Sequence, residues 1–332
     1  MKESHPANGD LNKRPPEDIP HKPDSIAESA IGSPSNRANR ARRTFFLGFI
    51  ARLILLFFKP LLALAVHALH SELHSYVVLI PFISGFLVHL QRRRLPQEAG
   101  SSPGWGIVFL LAGLTALGAA WGQDGARFSH NDYLSLMAFS AVCLVVAGGF
   151  VFMGRKWMAA VAFPAAFLFF MVPLPDAAVF HLETASKLAS ADAADLLFQI
   201  SGTPAFRDGT FFQLPGIVIE VAQECSGIRS SLVLLITGLL ASYLLLRSPW
   251  RRAVLIAAVI PLGIVRNGLR ILSIALLCVH VGPEMIHSIF HRRGGPFFFA
   301  LSLIPLFLLL WWLRRGEGTP KRSNPEALPG TK

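Results

Sequence analysis

The chain has 332 residues, 52% of them hydrophobic and only 15% charged, with a mean hydropathy of +0.49. A soluble protein usually has roughly a quarter of its residues charged, and here residues 1–44 and 314–332 already hold 13 of the 31 Lys and Arg and 8 of the 20 Asp and Glu. That excludes a soluble globular protein, a disordered chain and a disulfide-rich secreted domain. The net charge of +11 sits in short blocks between apolar runs, which is the pattern of membrane topology signals rather than of a nucleic-acid surface. The expected fold class is an all-α polytopic membrane protein whose surroundings are the lipid bilayer, with no nucleic-acid partner.

Residues 1–44 carry six prolines, no Phe, Tyr or Trp, and charges of both signs. They offer too little apolar surface to offset chain entropy, so a disordered cytoplasmic tail is expected. The apolar stretch begins only at Phe45, which is not the layout of a signal peptide. The organisation expected is a tail over 1–44, a transmembrane domain over 45–313 and a second cytoplasmic tail over 314–332. A helix needs about 20 apolar residues to cross a ~30 Å hydrocarbon core. By that measure about eight transmembrane helices are expected, near 45–69, 76–91, 103–122, 132–152, 157–175, 227–246, 253–280 and 296–313. The second is short. The first contains Arg52 and Lys59, which must snorkel or face protein. The seventh is too long and contains Pro261, Gly263, Arg266, Gly268 and Arg270, which predicts a kinked, tilted or broken helix.

Basic residues set the expected orientation. Arg92, Arg93, Arg94, Arg155, Lys156, Arg247, Arg251 and Arg252 fall in alternate loops, on the side of both tails. The opposite loops carry Arg127, Lys187, Arg207, Arg292 and Arg293 over many more residues. Both termini are therefore expected in the cytoplasm, with segments 176–226 and 281–295 facing outward from a cell (inner) membrane. Residues 177–200 read as a small extracytoplasmic amphipathic helix on the outer surface. Thr210–Leu214 and Ile217–Val221 are strand-like runs around Pro215-Gly216, which predicts a hairpin before helix six.

Three cysteines give no disulfide framework and no Cys-x-x-Cys metal pair. Cys143 and Cys278 lie inside apolar runs, where cysteine behaves as a small hydrophobe. Cys225 stands instead at the expected outer start of helix six, beside Ser226 and Gly227. Unpaired N–H groups and the positive end of the helix dipole favour the thiolate there, and Arg229 one turn on pushes the same way. The alternative is a cysteine that merely caps a packed helix.

Arginine inside an apolar helix costs about 2.5–3.5 kcal/mol on insertion scales. Arg266 and Arg270 lie four residues apart on one face of the seventh candidate helix. Counting from Arg252 at 1.5 Å per residue places Arg270 about 27 Å across, near the outer face and at the depth of Cys225. They could snorkel, or pair with Glu220 or Glu224; or one could be a fixed cation for a developing oxyanion while the other is structural. His67, His70, His74, His89, His130 and His181 read as interfacial residues. His287 and His291 precede the last helix; their spacing resembles a metal pair, but no third ligand stands nearby, so neither metal nor cofactor is expected. A low-pKa thiol, an arginine and a histidine from three separate segments meet the needs of acyl transfer through a thioester.

Three segments carry a resemblance: Glu224-Cys225-Ser226-Gly227-Ile228-Arg229-Ser230, Asn267-Gly268-Leu269-Arg270-Ile271, and His291 followed by Gly295, Phe298 and Phe299. In this order they resemble the signature segments of the exosortases and archaeosortases, polytopic membrane cysteine transpeptidases. The likeness covers about residues 200–300 and extends weakly to Ser75-Tyr76 and Ile80-Pro81-x-Ile83-Ser84. It implies Cys225 as nucleophile, Arg270 as stabiliser of the tetrahedral intermediate or aid to proton transfer, and His291 as acid/base. It also implies substrates that are exported proteins with a C-terminal sorting signal (a short motif, a transmembrane helix and a basic tail) and an acyl acceptor of unspecified kind. Arg292-Arg293 is more basic than that pattern, and His287 or Arg266 could take the place of His291 or Arg270. Two other readings stay open: a carrier or permease for a lipid-linked or anionic precursor built on Arg266 and Arg270, and a non-catalytic assembly subunit.

Overall fold

The computed structural model describes residues 34–71, 73–96, 100–122, 129–221, 227–282, 284–285 and 294–317. Helix α1 (Pro34–Leu56) starts well before the apolar stretch, so residues 34–44, expected as part of a disordered tail, are helical. A 70° bend separates α1 from α2 (Phe58–His70). Its local cause is Pro60, whose ring crowds the carbonyl of Leu56 and which brings no N–H to the ladder. A 3-10 turn (Ser75–Leu79) and the short helix α3 (Ile80–Leu90) follow. Tyr76, Val77 and Ile80 pack there with Leu64 and Ala68 of α2, Leu134, Ala138 and Phe167.

Helices α4 (Pro103–Trp121) and α5 (His130–Gly148) form a close pair. Small residues let their backbones approach, as is usual between membrane helices. A Cβ on Gly113 would sit 3.2 Å from the Ser140 carbonyl and from Leu144, and one on Gly106 2.8 Å from Val151. After α5 the helix runs through a π-turn (Gly149–Met153) to Gly154, at φ +81°. The stretch α6 (Gly154–Ala160), α7 (Ala162–Phe167) and a 3-10 turn (Leu168–Met171) then runs back along α5. Phe169 meets Phe139 at 5.9 Å between ring centroids, and the Ser135 hydroxyl reaches the Pro173 carbonyl at 2.9 Å. Among the described residues five helices are long and apolar enough to cross a membrane, or up to seven if each bent pair is one span. The expected count of eight is not reached by this measure because 76–91 is short and 157–175, with Pro164 and Pro173, is divided into brief helical pieces.

Helix α8 (Asp176–Ser201) leaves this layer at 92° to the piece before it. Its first turn is tied to the start of α5: Asn131 Nδ2 donates to Asp176 Oδ1 at 2.8 Å, and the Asp176 N–H donates to Asp132 Oδ1 at 2.8 Å. The expected hairpin is present as β2 (Phe211–Leu214) and β3 (Ile217–Glu220), closed by Pro215-Gly216 with Gly216 at φ +82°. A further strand, β1 (Phe206–Asp208), makes the sheet three-stranded in the order β1-β2-β3. The Asp208-Gly209 dipeptide was its sequence signal, with Gly209 at φ +61°.

Two long helices then form a hairpin: α9 (Ile228–Leu245) and α10 (Pro249–His280). Helix α11 (Gly295–Arg315) packs beside them. The continuous, 32-residue α10 is therefore not broken at its Pro, Gly and Arg residues; at 1.5 Å per residue it is about 48 Å long. Its halves have different partners. Leu255 and Val259 pack with Leu234 of α9 and Leu306 and Leu310 of α11. Ile271, Ile274, Ala275 and Cys278 pack instead with Ala191, Ala194 and Phe198 of α8 and with Phe212, Leu214 and Ile219 on the buried face of the sheet. Cys143 and Cys278 are buried and not joined in a disulfide.

At Gly268, α10 lies close against α8. A Cβ there would lie 3.0 Å from Ala193 Cβ and 3.2 Å from the α8 backbone, which cannot yield as a side chain can. Gly268→Val is expected to lower stability by about 1–3 kcal/mol, read as a lower melting temperature of the purified protein in detergent. Gly118→Val, where nothing lies within 4 Å, should leave it unchanged.

His74 connects α2 to the 3-10 turn and is 5% exposed. Its ring lies 5.7 Å from that of His67, which in turn lies 5.9 Å from His130. Burial, and then His67, lower its pKa below 6.5 against the opposing pull of Asp176. With the folded value depressed, the unfolded chain binds a proton there that the fold does not. The stability due to neutral His74 is thus present above pH 6.5 and lost as the pH falls through the folded value. Lowering the pH from about 7 to about 5 should depress the melting temperature more in the wild type than in His74→Gln; equal slopes would remove His74 from the account.

Candidate active site

At one end of the α9–α10–α11 bundle, Arg251 near the start of α10 donates from Nη1 to the Leu313 carbonyl at 2.7 Å and from Nη2 to the Gly316 carbonyl at 2.6 Å. Glu317 accepts from the Ser248 N–H at 2.7 Å and from the Arg247 N–H at 2.9 Å. These hydrogen bonds, the one from Ser248 foremost, hold its carboxyl below the usual carboxylate range. The end of α9, the start of α10 and the end of α11 therefore lie together. It follows that α9 and α11 run parallel, and that their first residues, Ile228 and Gly295, point toward the same opposite end. The segment bearing Cys225 enters α9 at that end, and the segment bearing His291 enters α11 there. Cys225 and His291 themselves, with Glu224 and His287, lie outside the described residues.

Arg266 and Arg270 are described. Gly263, Arg266, Asn267 and Arg270 recur at helical spacing, and the first three lie against the start of α9. Arg266 is 5% exposed and Asn267 2%. The Arg266 guanidinium donates from Nη2 to the Gly227 carbonyl at 3.1 Å and to Ser231 Oγ at 3.3 Å. The same carbonyl accepts the Ser231 N–H at 3.0 Å and the Ser230 hydroxyl at 3.1 Å, so three donors converge on the oxygen that opens α9. Gly227 is at φ +71°, and a Cβ there would lie 2.9 Å from Asn267 and 3.0 Å from Arg266 Nη2. On the other side Gly263 admits Ser231, whose Oγ would be 2.8 Å from an added Cβ.

Among the described residues Arg266 finds a carbonyl and a hydroxyl, and Glu220 pairs with Lys187 of α8 at 3.4 Å. Arg266 lies level with the start of α9, and half-buried Arg270 lies one turn beyond, toward the half of α10 that carries the sheet; Cys225, with whose depth the count aligned Arg270, lies outside the described residues. Arg229 is exposed on the first turn of α9. Ser231 carries no signal in the sequence beyond its spacing, one helical turn after Gly227, and Gly263, one turn before Arg266, is legible there only as a residue that could kink or break its helix. Among the described residues no group of three or more His, Cys, Asp or Glu is arranged to hold a metal ion.

The chain matches the family model for transmembrane exosortase (Exosortase_EpsH) over residues 68–308. That span takes in everything from the end of α2 to most of α11, and the protein belongs to the transmembrane exosortase family. No curated protein and no solved structure matches it. The match begins at Ala68, before the Ser75–Ser84 stretch whose residues Tyr76, Val77 and Ile80 lie in the core beside α2 and α5.

Gly227→Ala should cost more than the ~1–2 kcal/mol of a left-handed backbone alone, because its Cβ also meets Asn267. Gly216→Ala, at φ +82° with nothing within 4 Å, isolates the backbone part. Unfolding of both variants in detergent is expected to rank Gly227→Ala as the less stable; the reverse order would contradict the contact.

Proposed function

We propose that this protein is a membrane-embedded cysteine peptidase/transpeptidase of the cell (inner) membrane that cleaves C-terminal sorting signals of exported proteins on the extracytoplasmic side. Family membership supports a membrane transpeptidase-type activity. The observation that carries the reading is the contact between Gly227 and the Arg266-Asn267 turn, since it joins the start of the segment after Cys225 to the Asn267–Ile271 segment. The parallel run of α9 and α11 brings the entry of the third segment to the same end of the bundle.

In this reading the Cys225 thiolate attacks the carbonyl carbon of the scissile peptide bond. Arg270 stabilises the oxyanion of the tetrahedral intermediate. As the C–N bond breaks, His291 gives a proton to the departing amine, and the remaining acyl group is held as a thioester on Cys225. The acceptor then attacks the thioester carbonyl, loses its proton to His291 and releases the thiolate. A substrate anchored by its own transmembrane helix would reach the site by lateral diffusion. Helix α8, with exposed Phe180, Leu188, Leu196 and Ile200, would lie along the outer membrane surface beside it.

The test compares membrane and released proteomes by mass spectrometry, following proteins with a C-terminal helix and basic tail. Cys225→Ala is expected to reduce their processing by about a thousandfold or more, and Arg270→Gln by about a hundredfold or more, with both variants inserted in the membrane. The trimmed C-terminus would report both the motif and the acceptor. Unchanged processing in Cys225→Ala would falsify the reading. Loss of function in Arg270→Gln alone would point to a carrier of anionic precursors instead.

A further inference from the structure

We propose that Arg266 is a positioning residue that holds the first turn of α9, which follows Cys225 in sequence, in one orientation. The inference deepens the proposed function and rests on its choice of Cys225 as the thiol of interest. Three observations point to it. Arg266 is 5% exposed between two apolar helices, where an arginine is otherwise expelled. One end of its guanidinium is committed to the Gly227 carbonyl and Ser231 Oγ, two groups of the same helical turn. Its other end, Nη1, is buried and has no hydrogen-bond partner among the described residues.

Gly227 stands two residues after Cys225 in sequence, and its carbonyl, held by Arg266, opens the first turn of α9. The N–H groups of the first turn, which favour an anion before the helix, are then aimed by Arg266 as much as by α9 itself. Its charge also lies one turn nearer the start of α9 than that of Arg270. Other charged groups flank the region. Arg229 stands on α9 and Arg270 on α10, Glu220 of β3 is paired with Lys187 of α8, and Glu224 adjoins the cysteine in sequence. Arg266 differs from these because it is both buried and hydrogen-bonded to the turn.

Alkylation of Cys225 tests this without reference to turnover. The full-length protein in membrane vesicles is treated with iodoacetamide across a pH series, and the Cys225 peptide is quantified by mass spectrometry apart from those of Cys143 and Cys278. Arg266→Gln should slow labelling near neutral pH by about tenfold and move its midpoint up by about one pH unit. Arg266→Lys, which keeps the charge but loses the planar fork, should fall between. A residue that only supports folding would lower the amount of inserted protein and leave the midpoint of the remainder in place. An unmoved midpoint in Arg266→Gln overturns the proposal, as does a wild type in which Cys225 is never labelled. If neither Arg266 variant accumulates, Ser231→Ala decides: it removes one of the two contacts, and a raised midpoint supports the proposal while an unchanged one overturns it. Because labelling reads the thiol and not processing, a silent Cys225→Ala in the proteome comparison would sink the peptidase reading and leave this result standing.

Discussion

A guanidinium enclosed by apolar helices is costly unless hydrogen bonds are found there, because its charge cannot readily be given up. Arg266 meets part of that demand from Nη2, with the Gly227 carbonyl and the Ser231 hydroxyl. The arrangement constrains both helices. The chain must turn at a left-handed residue with no side chain, since a Cβ on Gly227 would occupy the space taken by Asn267 and the guanidinium. The α10 helix must offer Gly263 one turn earlier so that Ser231 can come close. A buried arginine, two glycines and a serine therefore act as one unit, and the start of α9 is placed by α10 rather than by its own helical propensity.

The same helix also joins two different kinds of packing. Below Arg266, α10 meets α9 and α11 through Leu255 and Val259, against leucines on both neighbours. Beyond it, α10 carries a small lobe made by α8 and the three-stranded sheet, with Phe198 and Phe212 at its centre, 5.2 Å apart between ring centroids. Gly268 sits at the transition, where the backbone of α8 is close. Exposed pairs such as Arg207–Asp192 at 2.7 Å trim the lobe's surface, but pairs of this kind contribute about 0–1 kcal/mol each; the buried aromatic and aliphatic face is what holds the sheet to the helices. A helix longer than the bilayer core is thus used along its whole length, one half in a helix bundle and the other as the floor of the lobe. The start of α9 lies where these two halves meet.

Composition and spacing carried the sequence reading a long way. Charge scarcity gave the membrane class, and the runs near 103–122, 227–246 and 296–313 became α4, α9 and α11 with bounds shifted by only a few residues. Pro215-Gly216 gave the hairpin, because a turn that needs a left-handed residue advertises it by glycine. The Asp-Gly turn that adds β1 had the same kind of signal. Where the reading differed, helices run on past local signals. Of the kinked, tilted or broken helix expected around Pro261, α10 is not broken, and residues 34–44 join α1 although no apolar run begins before Phe45.

For the site, the sequence alone determined which residue types were present, in what order, and that they fell in segments matching the transmembrane exosortase family. It could also assign Arg266 and Arg270 to one helix face, because four residues make about one turn. Which arginine meets the start of α9 was decided only by the tertiary structure. That choice depends on the relative height of two helices joined by a short turn, and a shift of one turn exchanges the two residues. The height is set by contacts remote in sequence: Arg251 and Glu317 at one end of the bundle, Gly227 and Gly268 further along. A linear pattern records what each helix can bury, but the depth at which two helices lock together belongs to the assembled packing.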